Sequence, residues 1–311
     1  MKQRPRIRTG LVLAAALLAA AVGGADARSK VRVVASITDL KALTEVIGGD
    51  LVDVDALARG TQNAHDVEIR PSLMLKLRHA DLVVRNGLGL DFWLDQLLAG
   101  AHNAQIMPGA PGYVDASRGI DVIPTSGPID RSRGDVHPEG DPHYTLDPAN
   151  ARVITANVVE GLKRVAPQHA AAFDQRRADF LARLDAAVTR WQKTLEPFRG
   201  AKVITYHETF NYFLRRFGLV LGGAVEDRPG IPPSPGHLSA LIRTIREAQI
   251  RVIMAEPFAD RRAVDLVARD SGVRALTLPS SVGGAKGVDT YLDLFEHNVG
   301  ALAAALGGRR G

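Results

Sequence analysis

An uninterrupted helical pattern between two segments of alternating strands and helices is the feature that most constrains this fold. From Gln168 to Leu195, charged residues recur on one side of the pattern and Ala, Leu, Phe and Val on the other, with no internal Pro or Gly. A helix of that length would extend roughly 40 Å, enough to cross from one lobe to another. A shorter helical pattern precedes it, beginning at Asp147 and Pro148, which are a favourable N-cap and first helical residue.

On both sides of this helix, short β-branched runs alternate with amphipathic runs. Residues 31–35, 51–57, 81–85 and 106–107 predict strands, with helices at 40–47, 71–77 and 92–98, and a similar alternation occupies 201–306. Such alternation predicts parallel sheets in an α/β fold. We therefore predict two doubly wound α/β lobes, residues 28–165 and 200–311, joined by a linker helix within 166–199. Because ligands of such sheets bind at the carboxyl ends of the strands, we expect the site in the cleft between the lobes.

The first 27 residues have the pattern of a secretory signal peptide. Four basic residues between Lys2 and Arg8 precede an apolar run at 11–22, and Ala25-Asp26-Ala27 follows; the order is that of a cleavable signal. About a dozen apolar residues are too few to span ~30 Å of hydrocarbon. We therefore expect residues 1–27 to be removed on export.

The composition of the chain excludes several kinds of metal site, modification and partner. The chain contains no cysteine, which excludes thiolate metal sites and a lipid-modified cysteine, so we expect an unlipidated periplasmic protein. Removal of residues 1–27 takes away four basic side chains and one acidic one, so the formal charge falls from +5 to +2. With no basic stripe interleaved with aromatic residues, we expect no nucleic-acid partner, and we expect a monomer.

Three of the nine histidines lie in loops at or near the ends of predicted strands: His65, His143 and His207. Three imidazoles plus a carboxylate or a water make a tetrahedral zinc site. Their wide spacing suits a cleft to which each loop brings one ligand. Taken singly, a loop histidine is more often a solvated or capping residue than a metal ligand. His207 is the strongest candidate because it follows a buried strand.

Several motifs in the mature chain resemble one known family, the zinc- and manganese-binding ABC-transporter periplasmic solute-binding proteins. The resemblance spans essentially the whole mature chain, in the same order and with the same linker helix. It implies a carrier, not an enzyme, that captures a divalent metal ion and delivers it to a membrane permease. The motifs that carry it are Ser36-Ile37-Thr38-Asp39-Leu40, Asp141-Pro142-His143-Tyr144-Thr145-Leu146-Asp147-Pro148, Thr205-Tyr206-His207-Glu208-Thr209-Phe210-Asn211-Tyr212-Phe213 with Phe217-Gly218-Leu219, and Pro233-Ser234-Pro235.

The resemblance implies that His65, His143 and His207 are metal ligands. Histidine at the third position is typical of the zinc-type members, which agrees with the preference of imidazole for zinc. The family's fourth ligand is an acidic residue after the last strand, where this chain has Ser280. We expect Glu256, at the end of the predicted strand 251–255, to take that role. Glu256 could instead cap a turn or form an ion pair, and a water could be the fourth ligand.

Two other functions remain open from the sequence. The same carrier could transport Mn²⁺ or Fe²⁺. A secreted zinc hydrolase would also use three protein ligands, with Glu208 or Glu256 as a base, but the chain has no His-Glu-x-x-His helix and no nucleophile elbow. The 131–142 loop holds one histidine, His137, and three acids. Metal gathering is one interpretation of this loop, and an ordinary solvated loop is the favoured one.

Overall fold

Two four-stranded parallel sheets form the framework of the described chain. The first has the strand order β2-β1-β3-β4 and the second β6-β5-β7-β8, and every pairing is parallel. Their central strands are buried runs of Val, Ile and Ala, as expected when helices cover both faces. The strands are β1 Val31–Ala35, β2 Val52–Ala56, β3 Leu82–Arg85, β4 Tyr113–Asp115, β5 Lys202–Thr205, β6 Val220–Ala224, β7 Val252–Ala255 and β8 Arg274–Thr277.

A computed structural model describes residues 30–125, 137–228 and 230–308. The expected signal peptide and residues 131–136 of the loop discussed above lie outside these ranges. No helix within them is both long and apolar enough to cross a membrane. The helices are α1 Thr38–Gly48, α2 Pro71–Arg78, α3 Trp93–Ala101, α4 Ala151–Val165, α5 Ala170–Leu195, α6 Asn211–Phe217, α7 Pro235–Glu247, α8 Arg261–Ser271 and α9 Tyr291–Gly307.

The long helix α5 connects the two sheets. It has 26 residues and therefore rises ~39 Å. Its buried side chains, which include Phe173, Leu184 and Trp191, face α1 and α4 of the first lobe and α9 of the second. The fold class predicted from the sequence, two parallel α/β lobes with a long helix, is confirmed.

One apolar cluster extends through both lobes. It includes Val33 of β1, Leu184 of α5, and Phe213 and Phe295 of α6 and α9. The Phe295 ring lies 5.4 Å from the ring of Trp191 and 6.4 Å from that of Phe213, measured between centroids. A smaller cluster fills the space between the second sheet, α7 and α8. The lobes thus share most of their core.

The segment after α3 differs from the prediction. The strand expected at 106–107 is replaced by a 3₁₀ turn, Ala104–Ile106, and the strand β4 lies where no strand was predicted. β4 has three residues, too few for a periodic pattern, and pairs with β3 only after a turn closed from Ala110 N to Met107 O. Pro148–Asn150 likewise forms a 3₁₀ turn before α4 begins.

Candidate metal centre

Three separate segments bring His65, His143 and His207 to one cavity of about 130 Å³. His65 lies in the loop between β2 and α2, His143 precedes a 3₁₀ turn, Tyr144–Leu146, and His207 follows β5 by two residues. Loops after parallel strands meet at the carboxyl edge of the sheet, which is where ligands bind in such folds. Asp39, Glu226 and Ser280 also line the cavity.

The three imidazoles are close enough to share an ion. One ring nitrogen from each lies within 4.8 Å of the others, and Nε2 of His65 is 3.0 Å from Nε2 of His143. Two imidazole ligands of a tetrahedral zinc, each bound at ~2.0–2.1 Å, have nitrogens ~3.3 Å apart. The observed spacing therefore fits coordination of one metal ion.

Buried carboxylates orient two of these rings. Nδ1 of His143 donates to Asp141 Oδ1 at 2.7 Å, and Nδ1 of His207 donates to Glu226 Oε2 at 2.9 Å. Burial raises the pKa of Asp141, but the adjacent His143 and its hydrogen bonds outweigh this, so the net pKa lies below the ordinary value. A carboxylate that accepts from Nδ1 leaves the Nε2 lone pair free for a metal, the usual arrangement at metal-binding histidines.

The protonation of the rings is set by their surroundings. Burial, and then the neighbouring imidazoles, holds the pKa of His65 well below its ordinary value. Burial also lowers the pKa of His207, but the hydrogen bond from its ring to Glu226 and the charge of Glu256 reverse the direction, so its net pKa is raised. At neutral pH His65 is thus ready to coordinate, whereas His207 must first lose any proton it holds.

Local hydrogen bonds fix the loop that carries His65. The backbone N–H of His65 donates to Asn63 Oδ1 at 3.1 Å, and the Trp93 indole donates to Ala64 O at 2.9 Å. Trp93 is the first residue of α3, so the indole ties this loop to the first lobe.

The segment around His143 is held from both lobes. Asn86, directly after β3, donates to Pro142 O at 3.1 Å, and the Tyr144 hydroxyl donates to Asn86 O at 2.8 Å. From the second lobe, the Tyr212 hydroxyl of α6 donates to Asp141 O at 3.0 Å. His143 is therefore placed by both sheets.

Glu256, the acidic residue expected as the fourth ligand, is close enough to His207 for its charge to raise the pKa of that histidine. Glu256 follows β7 directly and is 0% exposed, but it is outside the three-histidine group and does not line the cavity. Its side chain forms no ion pair within the described ranges, and neither carboxylate oxygen has a hydrogen-bond partner there. Burial raises the pKa of Glu256, and the charge of His207 opposes this rise without reversing it. Ser280, by contrast, does line the cavity.

Sequence reasoning missed the burial of His137. This residue, expected in a solvated loop, is 9% exposed, and its ring stacks on that of His65 at 4.8 Å between centroids. The reason is a backbone turn: His137 O accepts from Thr125 Oγ1 at 2.6 Å and from Gly140 N at 3.1 Å. Neither ring nitrogen has a hydrogen-bond partner among the described residues, and burial, ahead of the nearby His143 and His207, lowers the pKa of His137 to about 4.

Residues 33–305 match the model of the family described as zinc-uptake complex component A, periplasmic. The chain belongs to this family. The manganese ABC transporter substrate-binding lipoprotein PsaA of Streptococcus anginosus is a relative, 24% identical over 303 residues and covered over 94% of each chain. The iron ABC transporter substrate-binding lipoprotein MtsA of Streptococcus pyogenes serotype M1 is 24% identical, with 98% of this chain and 99% of MtsA covered.

Solved structures of other proteins share this fold. A crystal structure of ZnuA has a TM-score of 0.76 at 24% identity and covers 89% of this chain and 99% of its own. The description of the family contains zinc, and the names of the two streptococcal relatives contain manganese and iron. Both streptococcal relatives are named lipoproteins, which differs from the expectation of an unlipidated protein drawn from the absence of cysteine in this chain.

Proposed function

We propose that this protein captures Zn²⁺ in the periplasm with His65, His143 and His207 and delivers it to the permease of an ABC transporter. Membership of the zinc-uptake family makes the chain a metal-binding substrate-binding protein of such a transporter. The observation that carries the proposal is that three imidazoles from distant segments lie within 4.8 Å of one another. We also propose export with removal of residues 1–27 and no lipid anchor, which the mass of the periplasmic protein would test.

Zinc is favoured over manganese by the chemistry of the ligands. Imidazole suits zinc, whereas Mn²⁺ prefers carboxylate oxygen, and a given nitrogen site binds Zn²⁺ more tightly than Mn²⁺ or Fe²⁺. None of the three clustered groups is a carboxylate. Transport of Mn²⁺ or Fe²⁺ remains the second candidate because named relatives carry those metals.

Two protein groups compete for the fourth position. His137 stacks on His65 and has two unpartnered ring nitrogens. Like Glu256 it is outside the three-histidine group and does not line the cavity, so its ring would have to turn to bring a nitrogen to the ion. Glu256 would have to turn its carboxylate towards the cavity. We propose that His137 is the fourth ligand and that Glu256 contributes negative charge behind His207, which reduces the cost of burying a dication.

Metal titration of the histidine variants tests the proposal. The wild-type protein should bind one Zn²⁺ per chain, more tightly than Mn²⁺. His207→Ala should lower Zn²⁺ affinity at least tenfold, or ~1.4 kcal/mol. His79→Ala, which removes an exposed histidine of the first lobe, is the matched control and should bind as the wild type does. Equal affinities for the two variants would refute the site.

The same samples separate a carrier from an enzyme. A secreted zinc hydrolase would convert ester, phosphate or peptide substrates once loaded, because catalytic zinc keeps a position open for water. A site closed by a fourth imidazole leaves no such position. We therefore expect tight one-to-one binding without turnover, and zinc-dependent turnover that is lost in His207→Ala would favour the hydrolase.

A further inference from the structure

One buried hydroxyl joins the two ends of the 124–140 segment, which contains His137. Tyr212, the second residue of α6, is 0% exposed. Its hydroxyl accepts a hydrogen bond from Ile123 N and donates one to Asp141 O, both at 3.0 Å. Asp141 N also donates to Ile123 O at 2.9 Å. A side chain of the second lobe thus fixes both ends of this segment.

The residue before Tyr212 contacts the carboxylate of Asp141. Asn211 donates from Nδ2 to Asp141 Oδ2 at 3.0 Å, while Oδ1 of the same carboxylate accepts from the ring of His143 at 2.7 Å. Helix α6 therefore binds both the backbone carbonyl and the side-chain carboxylate of Asp141. Asp141 in turn holds the ring of His143.

Helix α6 also begins next to another proposed ligand. His207 precedes a 3₁₀ turn, Glu208–Phe210, and α6 follows without a break. Only the three residues of this turn therefore separate His207 from Asn211, the first residue of α6 that contacts Asp141. Because a short helix is stiff, the position of α6 determines the distance between the imidazole of His207 and that of His143.

We propose that Tyr212, together with Asn211, is a positioning residue that sets the distance between the imidazoles of His143 and His207 and so the residence time of the bound metal. The inference rests on the proposed function and deepens it. Tyr212 does not contact the ion; it acts through Asp141. Groups that orient metal ligands commonly change affinity by 10–100-fold, and losses of preorganisation appear mainly in the dissociation rate.

A second buried tyrosine distinguishes positioning from simple anchoring. Tyr291 of α9, 2% exposed, donates to Thr145 O at 2.5 Å. Thr145 and Asp141 each lie two residues from His143, but only Asp141 contacts the histidine ring. Tyr291→Phe therefore removes a similar hydrogen bond from the same segment and leaves the carboxylate undisturbed.

The experiment compares wild-type protein, Tyr212→Phe, Tyr291→Phe and Asn211→Ala loaded with Zn²⁺ or Co²⁺. Zinc release into excess chelator gives the dissociation rate, and the Co²⁺ d–d absorption reports the ligand geometry. We expect Tyr212→Phe to release zinc about tenfold faster with an altered cobalt spectrum. Tyr291→Phe should lose comparable stability to urea but keep the wild-type spectrum and a release rate within about twofold, because the Asp141–His143 contact remains.

Asn211→Ala should change both readouts in the same direction as Tyr212→Phe, and it decides the matter if Tyr212→Phe does not fold. Equal release rates for the two tyrosine variants would overturn the inference. So would wild-type behaviour of Asn211→Ala in the absence of a folded Tyr212→Phe. A wild-type protein that binds no metal would refute the proposed function itself, which is a different result.

Discussion

At the scale of single residues, the pairing of His207 with Glu226 is the contact most specific to the metal centre. Both side chains are nearly buried, and the Glu226 carboxylate accepts from Nδ1 of His207 at 2.9 Å. This contact fixes the direction of Nε2 and supplies a negative charge close to a dication. Replacing Glu226 by glutamine removes the negative charge and keeps the shape of the side chain, so this variant tests the contribution of the carboxylate to metal binding.

Glu226→Gln should therefore lower Zn²⁺ affinity about 10–100-fold at pH 8, because the ring of His207 loses its orienting carboxylate. Glu208→Gln is the matched control: Glu208 is exposed, lies next to His207 in the chain and carries the same charge, but no carboxylate–imidazole contact is lost with it. Isothermal titration of both variants measures the difference. Similar losses in the two would mean that net charge alone, and not the hydrogen bond, governs affinity.

The pH dependence gives the same variant a second readout. Although burial lowers the pKa of His207, Glu226 and the other nearby acids raise it above its ordinary value near 6.5. Metal binding requires the neutral ring, so affinity is complete above this raised pKa and falls as the pH drops through it. Glu226→Gln should move this fall to lower pH even as the affinity at pH 8 decreases. A fall at unchanged pH would indicate that another group titrates.

The identity of the fourth ligand is also decided by single residues. His137→Ala should lower Zn²⁺ affinity about tenfold and change the Co²⁺ absorption spectrum, because it removes a coordinating nitrogen. Glu256→Gln should weaken binding without changing the spectrum, since it removes only a nearby charge. The reverse pattern would restore Glu256 as the ligand, and two unchanged spectra would leave a water in that position.

At the scale of elements, the turn after β2 lies directly against the turn after β8. A Cβ atom on the buried Gly60 would come closer than 3.0 Å to Val282 O, Gly283 C and Gly284 N. All three are backbone atoms, so no side chain can rotate away. The adjacent Asp39 carboxylate of α1 accepts from Val282 N at 2.8 Å and so holds the same turn.

Gly60→Ala should destabilise the protein by ~1–3 kcal/mol, the usual cost of overpacking. It should also weaken zinc binding, because the same loop carries His65. Gly236→Ala is the control: no atom of the described part of the chain lies within 4 Å of its added Cβ, and alanine within a helix is favoured over glycine by ~0.5–1 kcal/mol. Urea unfolding followed by circular dichroism measures both. A Gly60→Ala protein as stable as Gly236→Ala would show that the two turns separate freely.

The elements that the sequence predicted well are those with a clear periodicity. β1, β3, β5 and β7 are buried β-branched runs, and α5 has a long amphipathic pattern, so local chemistry was sufficient. β4 was missed because three residues carry no period and its pairing partner β3 lies far away in the sequence. The break of the 148–165 helix into a turn and α4 reflects capping by Asp147, which accepts from Ala149 N.

The site was predictable only where a motif or a strand end marked it. His65, His143 and His207 lie in such places, and the structure brings them together. No local sequence pattern indicates Glu226 or His137. Glu226 is brought to His207 by the pairing of β5 with β6. His137 is brought to His65 by a turn closed at Thr125 and Gly140. Contacts between residues that are far apart in the sequence cannot be predicted from the spacing of residues along the chain.

At the scale of the whole molecule, the lobes are connected through a common core as well as by α5. Trp191 of α5 contacts the ring of Phe295 and donates from its indole to Glu296 at 2.7 Å. Because α1 packs on the same helix, opening one lobe would expose apolar surface of the other. We therefore expect only small lobe rotations, and the stability of each lobe to depend on that of the other.

This coupling predicts a single cooperative unfolding transition in urea. The chain has two tryptophans, Trp93 in the first lobe and Trp191 in α5, so Trp191→Phe and Trp93→Phe each leave one fluorescent reporter. In each variant, the fluorescence of the remaining tryptophan and the circular dichroism should give the same midpoint. Zn²⁺ at a hundred times its Kd should stabilise the folded state by ~2.7 kcal/mol and shift both curves together. His207→Ala should remove most of this shift. Separate midpoints for fluorescence and circular dichroism in the same variant, with only one of the two curves sensitive to zinc, would mean that the lobes unfold independently and that a single lobe binds the metal.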